Sequence, residues 1–471
     1  MIKRTAEKVI SGQISARELL AEYSGRITAG QARLNTYITL LLDRAAERAE
    51  EIDKIVEKGG NPGPLAGIPL AVKDNMLYRD ARMTCGSRIL ENYTSPYTAT
   101  AVARLEEAGA IITAKTNMDE FAMGSSGETS AFGATKNPHD TERSPGGSSS
   151  GSAAAVADGQ VPGALGSDTG GSVRQPAAFC GVVGLKPTYG LVSRYGLAAF
   201  ASSLDQIGPI TSSVEDAAVL LQVIAGYDNL DSTSLKYAVP DYSEELEHGV
   251  KGLRLGIPDE YMEEGLSHDV RETVEKTAEL LGKKGAEVTR ISLPHTKYAV
   301  STYYIAAPAE ASANLARFDG VRYGYRAEGR GNVDDIYIKT RSGSFGAEVK
   351  RRIMLGTYAL SSGYYEAYYL KAQRARTMIK RDFEEAFREV DLILSPATPA
   401  TAFRIGEKIQ DPLQMYLTDV YTIPANLAGI PGICVPAGKD RSGLPVSAQL
   451  LGPFMSEKLL LRAARAIEQK T

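Results

Sequence analysis

Glycine and serine residues dominate two turns within the stretch 144–178. Glycine supplies backbone with positive φ or a close approach to a ligand, and successive N–H groups in such turns form a concavity that binds anions. The second turn, 168–172, places a serine hydroxyl beside such donors. Because acyl transfer needs a nucleophile next to an oxyanion hole, Ser172 is a candidate nucleophile. The candidate oxyanion donors are the backbone N–H groups of Thr169, Gly170, Gly171 and Ser172.

Three other interpretations of this stretch fit less well. A flexible linker would not enclose the alanine-rich segment 153–157 and the apolar segment 161–165, which are typical of regular elements. A phosphate loop requires GxxxxGK[ST], which the chain lacks. Residues 147–151 satisfy GxSxG, but a nucleophile elbow follows a strand, whereas the preceding segment 136–145 is polar and contains two prolines.

A serine nucleophile needs a base, and Lys73 is the candidate. A neutral lysine can accept a proton, and Lys73 ends an apolar run, 67–73, that predicts a buried strand. The alternative is a solvated surface residue, which most lysines are. The four histidines show no pattern typical of catalysis; they are His139, His248, His268 and His295.

Composition indicates an ordinary soluble globular protein with a large core. The chain has 471 residues, 43% of them hydrophobic and 23% charged, and a net charge of −4. A slightly negative net charge gives no indication of a basic surface that would bind nucleic acid. The three cysteines are few, odd in number and widely spaced, which fits a reducing compartment. The N-terminus lacks the apolar core of a signal peptide, and no apolar run reaches 18 residues, so we expect a cytoplasmic protein without membrane contact.

Helical and strand patterns alternate along residues 98–293, which predicts an α/β fold with a largely parallel central sheet. Residues 1–60 predict helices packed on this core. A capping box at Ser15 and Glu18 opens a helix of about three turns, and Asp43 can cap a second helix over 44–58. Neither helix indicates a separate domain.

Three later segments carry further expectations. Residues 317–350 are rich in tyrosine, glycine and charge, and a structureless loop of this length is usually functional; a solvated insertion without a role is the alternative. A stripe of residues at spacings of three and four over 368–386 predicts a long helix whose charged face, including Asp382, is solvated. Residues 424–436 combine apolar and turn residues, which predicts a buried but irregular segment.

Three motifs resemble the amidase signature family: GIPLAVKDN at 67–75, PGGSSSGSAAAVA at 145–157 and GSDTGGSVRQPAAFCGVVGLKPTYG at 166–190. Ser150 stands where many members have glycine. The resemblance implies one domain over 1–471, with a single mixed, largely parallel sheet flanked by helices. It also implies a Ser–cis-Ser–Lys triad with Lys73 as base, Ser148 as bridging serine and Ser172 as nucleophile.

Asp168 and Arg174 flank the second turn. We interpret them as a pair that braces this turn. Two unrelated surface charges are the alternative.

Three further stretches resemble, within that family, the glutaminase subunits of tRNA-dependent amidotransferases: RFDGVRYG at 317–324, VKRRIMLGTYALSSGYY at 349–365 and DPLQMYLTDVYTIPANLAGIPG at 411–432. The resemblance implies glutamine as substrate. By position, Arg352 would bind its α-carboxylate bidentately, Asp419 would bind its α-ammonium, and Tyr303 would line the pocket. The alternative for each is a surface charge or a core tyrosine.

The resemblance also implies that the released ammonia travels to a partner subunit, which activates Glu-tRNA(Gln), or Asp-tRNA(Asn), with ATP. This chain has no ATP motif and no basic stripe. We therefore expect no cofactor or metal in it, little direct tRNA contact, ATP and Mg on a tRNA-binding partner, and a small third subunit. A free-standing amidase acting on another small amide is one alternative. A non-catalytic scaffold is the other, against which the intact Lys73, Ser148 and Ser172 argue.

Overall fold

The computed structural model describes residues 1–263, 265–329 and 331–469. Within them, one mixed sheet has the strand order β1-β3-β2-β4-β6-β5-β10-β11-β9-β7-β8. Its strands are β1 (Tyr37–Leu40), β2 (Pro69–Lys73), β3 (Ile111–Thr116), β4 (Gly163–Asp168), β5 (Val183–Lys186), β6 (Gln206–Thr211), β7 (Arg254–Pro258), β8 (Glu287–Ile291), β9 (Leu392–Pro396), β10 (Gly432–Lys439) and β11 (Pro445–Leu451).

Helices flank this sheet. In chain order they are α1 (Ile2–Ile10), α2 (Ala16–Leu34), α3 (Leu42–Glu57), α4 (Thr100–Glu107), α5 (Ser150–Ala157), α6 (Arg174–Cys180), α7 (Val214–Ile224), α8 (His268–Lys283), α9 (Ala299–Asn314), α10 (Val333–Ser344), α11 (Ala347–Leu360), α12 (Lys371–Glu389), α13 (Pro412–Tyr416), α14 (Ile423–Ala428) and α15 (Glu457–Glu468). None of the described helices is both long and apolar enough to cross a membrane.

The sheet confirms the α/β prediction and its mixed character. Strands β3, β2 and β4 run parallel, as do β9, β7 and β8. The pairs that join these two groups, through β6, β5, β10 and β11, are antiparallel. Fewer strand pairs are therefore parallel than the alternation of helices and strands along the chain predicts. That alternation does not show which strands become neighbours in the sheet.

Strand β2 is buried on both faces, as expected for a strand within a parallel group. Leu70 and Val72 pack into the main core, whereas Ala71 faces a second cluster that contains the alanines of α5. Side chains alternate along a strand, so Lys73 projects on the same side as Ala71, toward the beginning of α5. This geometry positions the lysine for the site.

The N-terminal helices pack on the core, and the capping box is present. Ser15 Oγ accepts from the Glu18 N–H at 3.1 Å, and the Ser15 N–H donates to Glu18 Oε2 at 2.9 Å. Helix α2 has 19 residues and is longer than predicted. The expected cap at Asp43 is wrong, because α3 already begins at Leu42 and has no side-chain cap.

Three other expectations need correction. Residues 317–350 are not structureless, because Asn332 and Asp335 form a capping box that begins α10. Asp382 is buried rather than solvated, since it accepts hydrogen bonds at 2.7 Å from both the backbone N–H and Nδ1 of His295. Residues 424–436 are regular, consisting of α14, a left-handed Gly429 and the start of β10.

Candidate active site

Lys73 lies at the end of β2 with no exposed surface. Its Nζ is 2.7 Å from Ser148 Oγ and 2.9 Å from the hydroxyl oxygens of Ser149 and Ser167. Among the described residues, only neutral oxygens are within hydrogen-bond distance of Nζ, since its remaining partner there is the Ser167 carbonyl at 3.3 Å. The amine therefore lacks the direct carboxylate contact that would hold its charge.

Burial lowers the pKa of Lys73 to about 7, although Asp119, Asp168 and Asp205 raise it from a greater distance. The buried amine therefore gives up its proton at a much lower pH than free lysine, which titrates near ~10.4. A neutral amine at hydrogen-bond distance from a serine hydroxyl can act as a general base.

Ser148 follows a cis peptide bond at Gly147 and is fully buried. The next residue connects it to the second turn, because the Ser149 N–H donates to the Ser172 carbonyl at 3.2 Å. Ser172 lies between β4 and α6 and is 8% exposed, so it borders solvent. The structure thus brings the segments of all three predicted triad residues together.

The N–H groups predicted to bind the oxyanion differ in whether an acceptor already engages them. The Gly171 N–H already donates to Asp168 Oδ1 at 2.9 Å, so it is engaged in the resting site. Among the described residues, no hydrogen-bond acceptor faces the N–H groups of Thr169 and Gly170. These two groups, with the Ser172 N–H, are therefore the remaining candidates.

Asp168 and Arg174 form the predicted pair and are both fully buried. Arg174 donates through Nε and Nη2 to the two carboxylate oxygens, each at 3.0 Å. It also donates to Gln449 at 2.8 Å and Asn426 at 2.6 Å. Burial alone would raise the pKa of Asp168, but Arg174, Lys186 and Asn426 lower it to about 2. Because the carboxylate also accepts from Gly171, the pair braces the turn, and the surface-charge alternative is wrong.

Sequence reasoning missed Ser149, Ser167 and Asn75 as contributors. Asn75 Nδ2 donates to Ser167 Oγ at 2.9 Å, which orients one of the hydroxyls around Lys73. All three residues lie inside the motifs that identified the triad. Their position inside these motifs was the one sequence feature that could have identified them. A motif does not show, however, which of several adjacent serines contacts the lysine amine.

Arg352 lies on α11 and is 2% exposed, so it is not a surface charge. Its Nε donates to Glu348 Oε1 at 2.8 Å, and the hydroxyl of Tyr416 donates to the same oxygen at 2.8 Å. The guanidinium lies over the rings of Tyr304 and Tyr416, at 5.0 and 5.4 Å from their centroids. Such aromatic contacts stabilise a buried cation.

Asp419 follows α13 and is also buried. Its Oδ2 accepts from the Ser125 hydroxyl, whereas Oδ1 has no hydrogen-bond partner among the described residues. Burial raises the pKa of this carboxyl to about 7. An unpartnered buried carboxylate oxygen is a suitable acceptor for a cationic ligand.

Tyr303 and Thr422 connect this region to the nucleophile turn. The Tyr303 ring packs on Gly170, where an added Cβ would lie 2.7 Å from Cζ. Thr422 Oγ1 lies 2.7 Å from the Gly170 carbonyl and 3.1 Å from that of Asp419. The residues predicted to bind glutamine and the predicted nucleophile turn are therefore contiguous.

A cavity of about 230 Å³ borders this region. Its lining includes Ser125, Glu348, Arg352, Lys408 and Tyr416. A small polar molecule can therefore reach Arg352 from solvent. Among the described residues, the one group with metal-ligand spacing is the exposed cluster of His268, Asp269 and Glu272 on α8, which contributes nothing to this site.

An α/β sheet that presents a buried lysine beside serine hydroxyls has the chemical groups of a serine–lysine hydrolase. The sequence model of the amidase family matches residues 18–461, so the chain belongs to the amidase family.

Two relatives and one solved structure show which members of the amidase family this chain is similar to. The chain is 56% identical to the A subunit of glutamyl-tRNA(Gln) amidotransferase from Carboxydothermus hydrogenoformans, covering 100% of this chain and 96% of that protein. It is 57% identical to the protein of the same name from Geobacillus thermodenitrificans, covering 98% and 94%. The crystal structure of its counterpart from Thermotoga maritima superposes with a TM-score of 0.82 at 45% identity, covering 99% of this chain and 94% of that one.

Proposed function

We propose that this chain hydrolyses the side-chain amide of glutamine and supplies the ammonia to a partner subunit that amidates Glu-tRNA(Gln). The observation that carries the glutamine assignment is the presence of two buried, oppositely charged groups, Arg352 and Asp419, beside the nucleophile turn. A free amino acid has a carboxylate and an ammonium group to match them, and a simple amide has neither. Arg352 is already paired with Glu348, whereas Asp419 Oδ1 has no partner among the described residues, and a buried carboxylate oxygen without a partner is costly.

The triad residues carry the bond-breaking steps. Neutral Lys73 accepts the proton of Ser148 as Ser148 accepts the proton of Ser172, and Ser172 Oγ attacks the amide carbon of glutamine. The N–H groups of Thr169, Gly170 and Ser172 stabilise the oxyanion, and losing one such donor costs about 10²–10³-fold in rate.

The proton then returns through Ser148 to the leaving nitrogen, the C–N bond breaks, and ammonia departs from a γ-glutamyl ester on Ser172. Water attacks this ester with the same relay acting as base. The products are glutamate and free enzyme.

The substrate's amino-acid group binds at the charged end of the site. Glu348 occupies Nε of Arg352, so the two Nη groups bind the α-carboxylate. Asp419 Oδ1 accepts the α-ammonium, and Tyr303 forms the wall between this end and Gly170.

The ammonia requires a partner. Free ammonia is mostly protonated at neutral pH, so a protected route through a stable interface is needed, and stable interfaces bury about 1,200–2,000 Å² in total. The partner subunit binds tRNA and uses ATP with Mg. A small third subunit completes the complex, and the complex acts in the cytoplasm. The shared name of the relatives, the A subunit of glutamyl-tRNA(Gln) amidotransferase, supports a complex with other subunits of an amidotransferase.

The expected contact surface is formed by exposed apolar side chains of α11, of α12 and of the segment that joins them. It comprises Met354, Leu355, Tyr358, Tyr364, Tyr365, Tyr368 and Met378.

Co-expression with candidate partner subunits, followed by size-exclusion chromatography and a glutaminase assay with and without ATP and tRNA, tests this function. We expect co-elution and a glutaminase rate that depends on the partner. A chain that elutes alone, with a rate unaffected by partner, ATP and tRNA, would be an independent amidase.

A further inference from the structure

One buried side chain, Gln175, connects the two ends of the site. It lies in the first turn of α6 and has no exposed surface. Its Nε2 donates to the Ser125 carbonyl at 2.9 Å, and its Oε1 accepts from the Gly147 N–H at 2.9 Å. Ser125 holds Asp419 through its hydroxyl, and Gly147 immediately precedes Ser148. A single amide therefore spans the substrate-binding segment and the bridging serine.

Asp119 links the same two segments from another side. Its N–H donates to the Ser148 carbonyl at 3.2 Å. Its carboxylate accepts from the Gly127 N–H and the Thr129 hydroxyl, each at 2.9 Å. The segment 124–129 and the residues before Ser148 are thus tied together through Gln175 and through Asp119, and Ser144, whose hydroxyl donates to the Ser126 carbonyl at 2.7 Å and accepts from the Gly146 N–H at 2.9 Å, adds a further connection.

These contacts leave little room for movement. An added Cβ on Gly146 would lie 2.4 Å from Gln175 Oε1, and one on Gly147 would lie 2.0 Å from Asp119 Oδ2. The groups that Gln175 binds are buried backbone polar groups, which are costly to leave unpaired. The separation between the two segments is consequently set by Gln175 and Asp119 together, and Gln175 is the one of the two whose side-chain amide contacts both segments.

We propose that Gln175 is a positioning residue that fixes the distance between the ammonium-binding carboxylate of Asp419 and the hydroxyl of Ser148. It thereby sets the position in which an amino-acid amide presents its carbonyl carbon to Ser172. The inference rests on the proposed function, because it takes Asp419 as the ammonium site. An amide without an ammonium group does not depend on this distance.

The variant Gln175→Met tests the inference, because methionine has a similar length and makes neither hydrogen bond. The probes are glutamine and butyramide, which carries the same reacting amide without the α-amino and α-carboxyl groups. We expect kcat to fall on both substrates, because Gly147 loses its acceptor. We also expect KM for glutamine to rise about tenfold, the equivalent of one hydrogen bond. The ratio of kcat/KM for glutamine to that for butyramide should thus fall about tenfold.

This ratio separates positioning from a purely structural role, since the fraction of folded enzyme cancels from it. Gln206→Met is a matched control. Gln206 is equally buried, accepts from the Gly190 N–H at 2.9 Å and donates to the Val192 carbonyl at 3.1 Å. The control should leave the ratio unchanged. If Gln175→Met does not fold, Gln175→Asn replaces it, because the shorter amide cannot reach both partners.

A folded Gln175 variant that keeps the parent's ratio would overturn the inference, as would an equal fall in the Gln206→Met control. Failure of the proposed function has a different signature. In that case the parent enzyme itself would show no preference for glutamine over butyramide.

Discussion

Two buried cations at the proposed site respond to burial in opposite ways. At the proposed catalytic end, Lys73 is surrounded by serine oxygens, and burial lowers its pKa to about 7. At the proposed substrate end, buried Arg352 keeps its charge, because Glu348 and two aromatic rings accompany it. Proton transfer needs a neutral base, whereas recognition of an α-carboxylate needs a positive charge. The identity of the immediate neighbours decides which result burial produces.

The largest expected effect belongs to the catalytic end. Ser172→Ala should lower glutamine hydrolysis on the order of 10⁶-fold, as for other serine nucleophiles, and should lower butyramide hydrolysis equally. Steady-state ammonia release measures both. Ser152→Ala, another buried serine, whose hydroxyl donates to the Leu165 carbonyl, is the control and should retain activity. A Ser172→Ala rate within tenfold of the parent would exclude this serine as nucleophile.

A comparison of two buried lysines sharpens the account of the base. Burial also lowers the pKa of Lys186 to about 7, but its Nζ donates to the Pro187 carbonyl at 3.0 Å and contacts no triad serine. Lys73→Met should therefore cost nearly as much activity as Ser172→Ala, and Lys186→Met should retain most of it. The kcat values of folded variants, verified by circular dichroism, provide the test. Equal losses would mean that a buried lysine matters here for stability alone.

Substitutions at the substrate end should separate the two substrates. Arg352→Gln and Asp419→Asn each leave a charge of bound glutamine unpaired, which costs about 2–5 kcal/mol, or about 30- to 5,000-fold in kcat/KM. Butyramide has no such charge, so its kcat/KM should stay unchanged. Equal losses on both substrates would contradict the assignment of these residues to the amino-acid group.

The pH dependence of kcat/KM should differ between glutamine and butyramide. Glutamine hydrolysis requires Lys73 and Asp419 each to lose a proton, whereas butyramide hydrolysis requires this of Lys73 alone. Lys73 must be neutral and Asp419 ionised, and the pKa of each is about 7, so both conditions are met as pH rises through that value. Below it, log kcat/KM should rise with a slope of about 2 for glutamine and about 1 for butyramide. Replacing all four histidines should leave both profiles intact. Equal slopes for the two substrates would show that Asp419 does not bind the substrate.

Much of the catalytic end could be predicted from local sequence. An apolar run that ends in a polar residue indicates the strand at Lys73, and a glycine–serine turn indicates Ser172. The identity of the bridging serine comes from resemblance alone, since adjacent serines look alike in sequence. Only the folded structure shows that the hydroxyls of Ser148 and Ser149, just before α5, both lie within hydrogen-bond distance of the Lys73 amine.

The errors share one physical origin. The solvated position predicted for Asp382 is wrong because the helical period separates the two faces of a helix but does not show what packs against them. The hydrogen bond from the Gly171 N–H to the Asp168 carboxylate, three residues earlier, is likewise not visible in the local pattern, and the role of Gly171 as an oxyanion donor stays a prediction. In both cases the deciding partner is a specific contact that residue type and spacing do not encode.

The sequence by itself determined features that depend on a few consecutive residues: the capping box at Ser15, the buried strand 69–73 and the nucleophile turn braced by Asp168. Their energies arise from neighbours in the chain, so local patterns carry the information. The tertiary structure alone decided the sheet order, the lowered pKa of Lys73 and the burial of Arg352 and Asp419. Lys73 meets Ser148 across 75 residues, and Ser125 meets Asp419 across 294. Burial and electrostatics depend on such distant segments, and no local pattern specifies them.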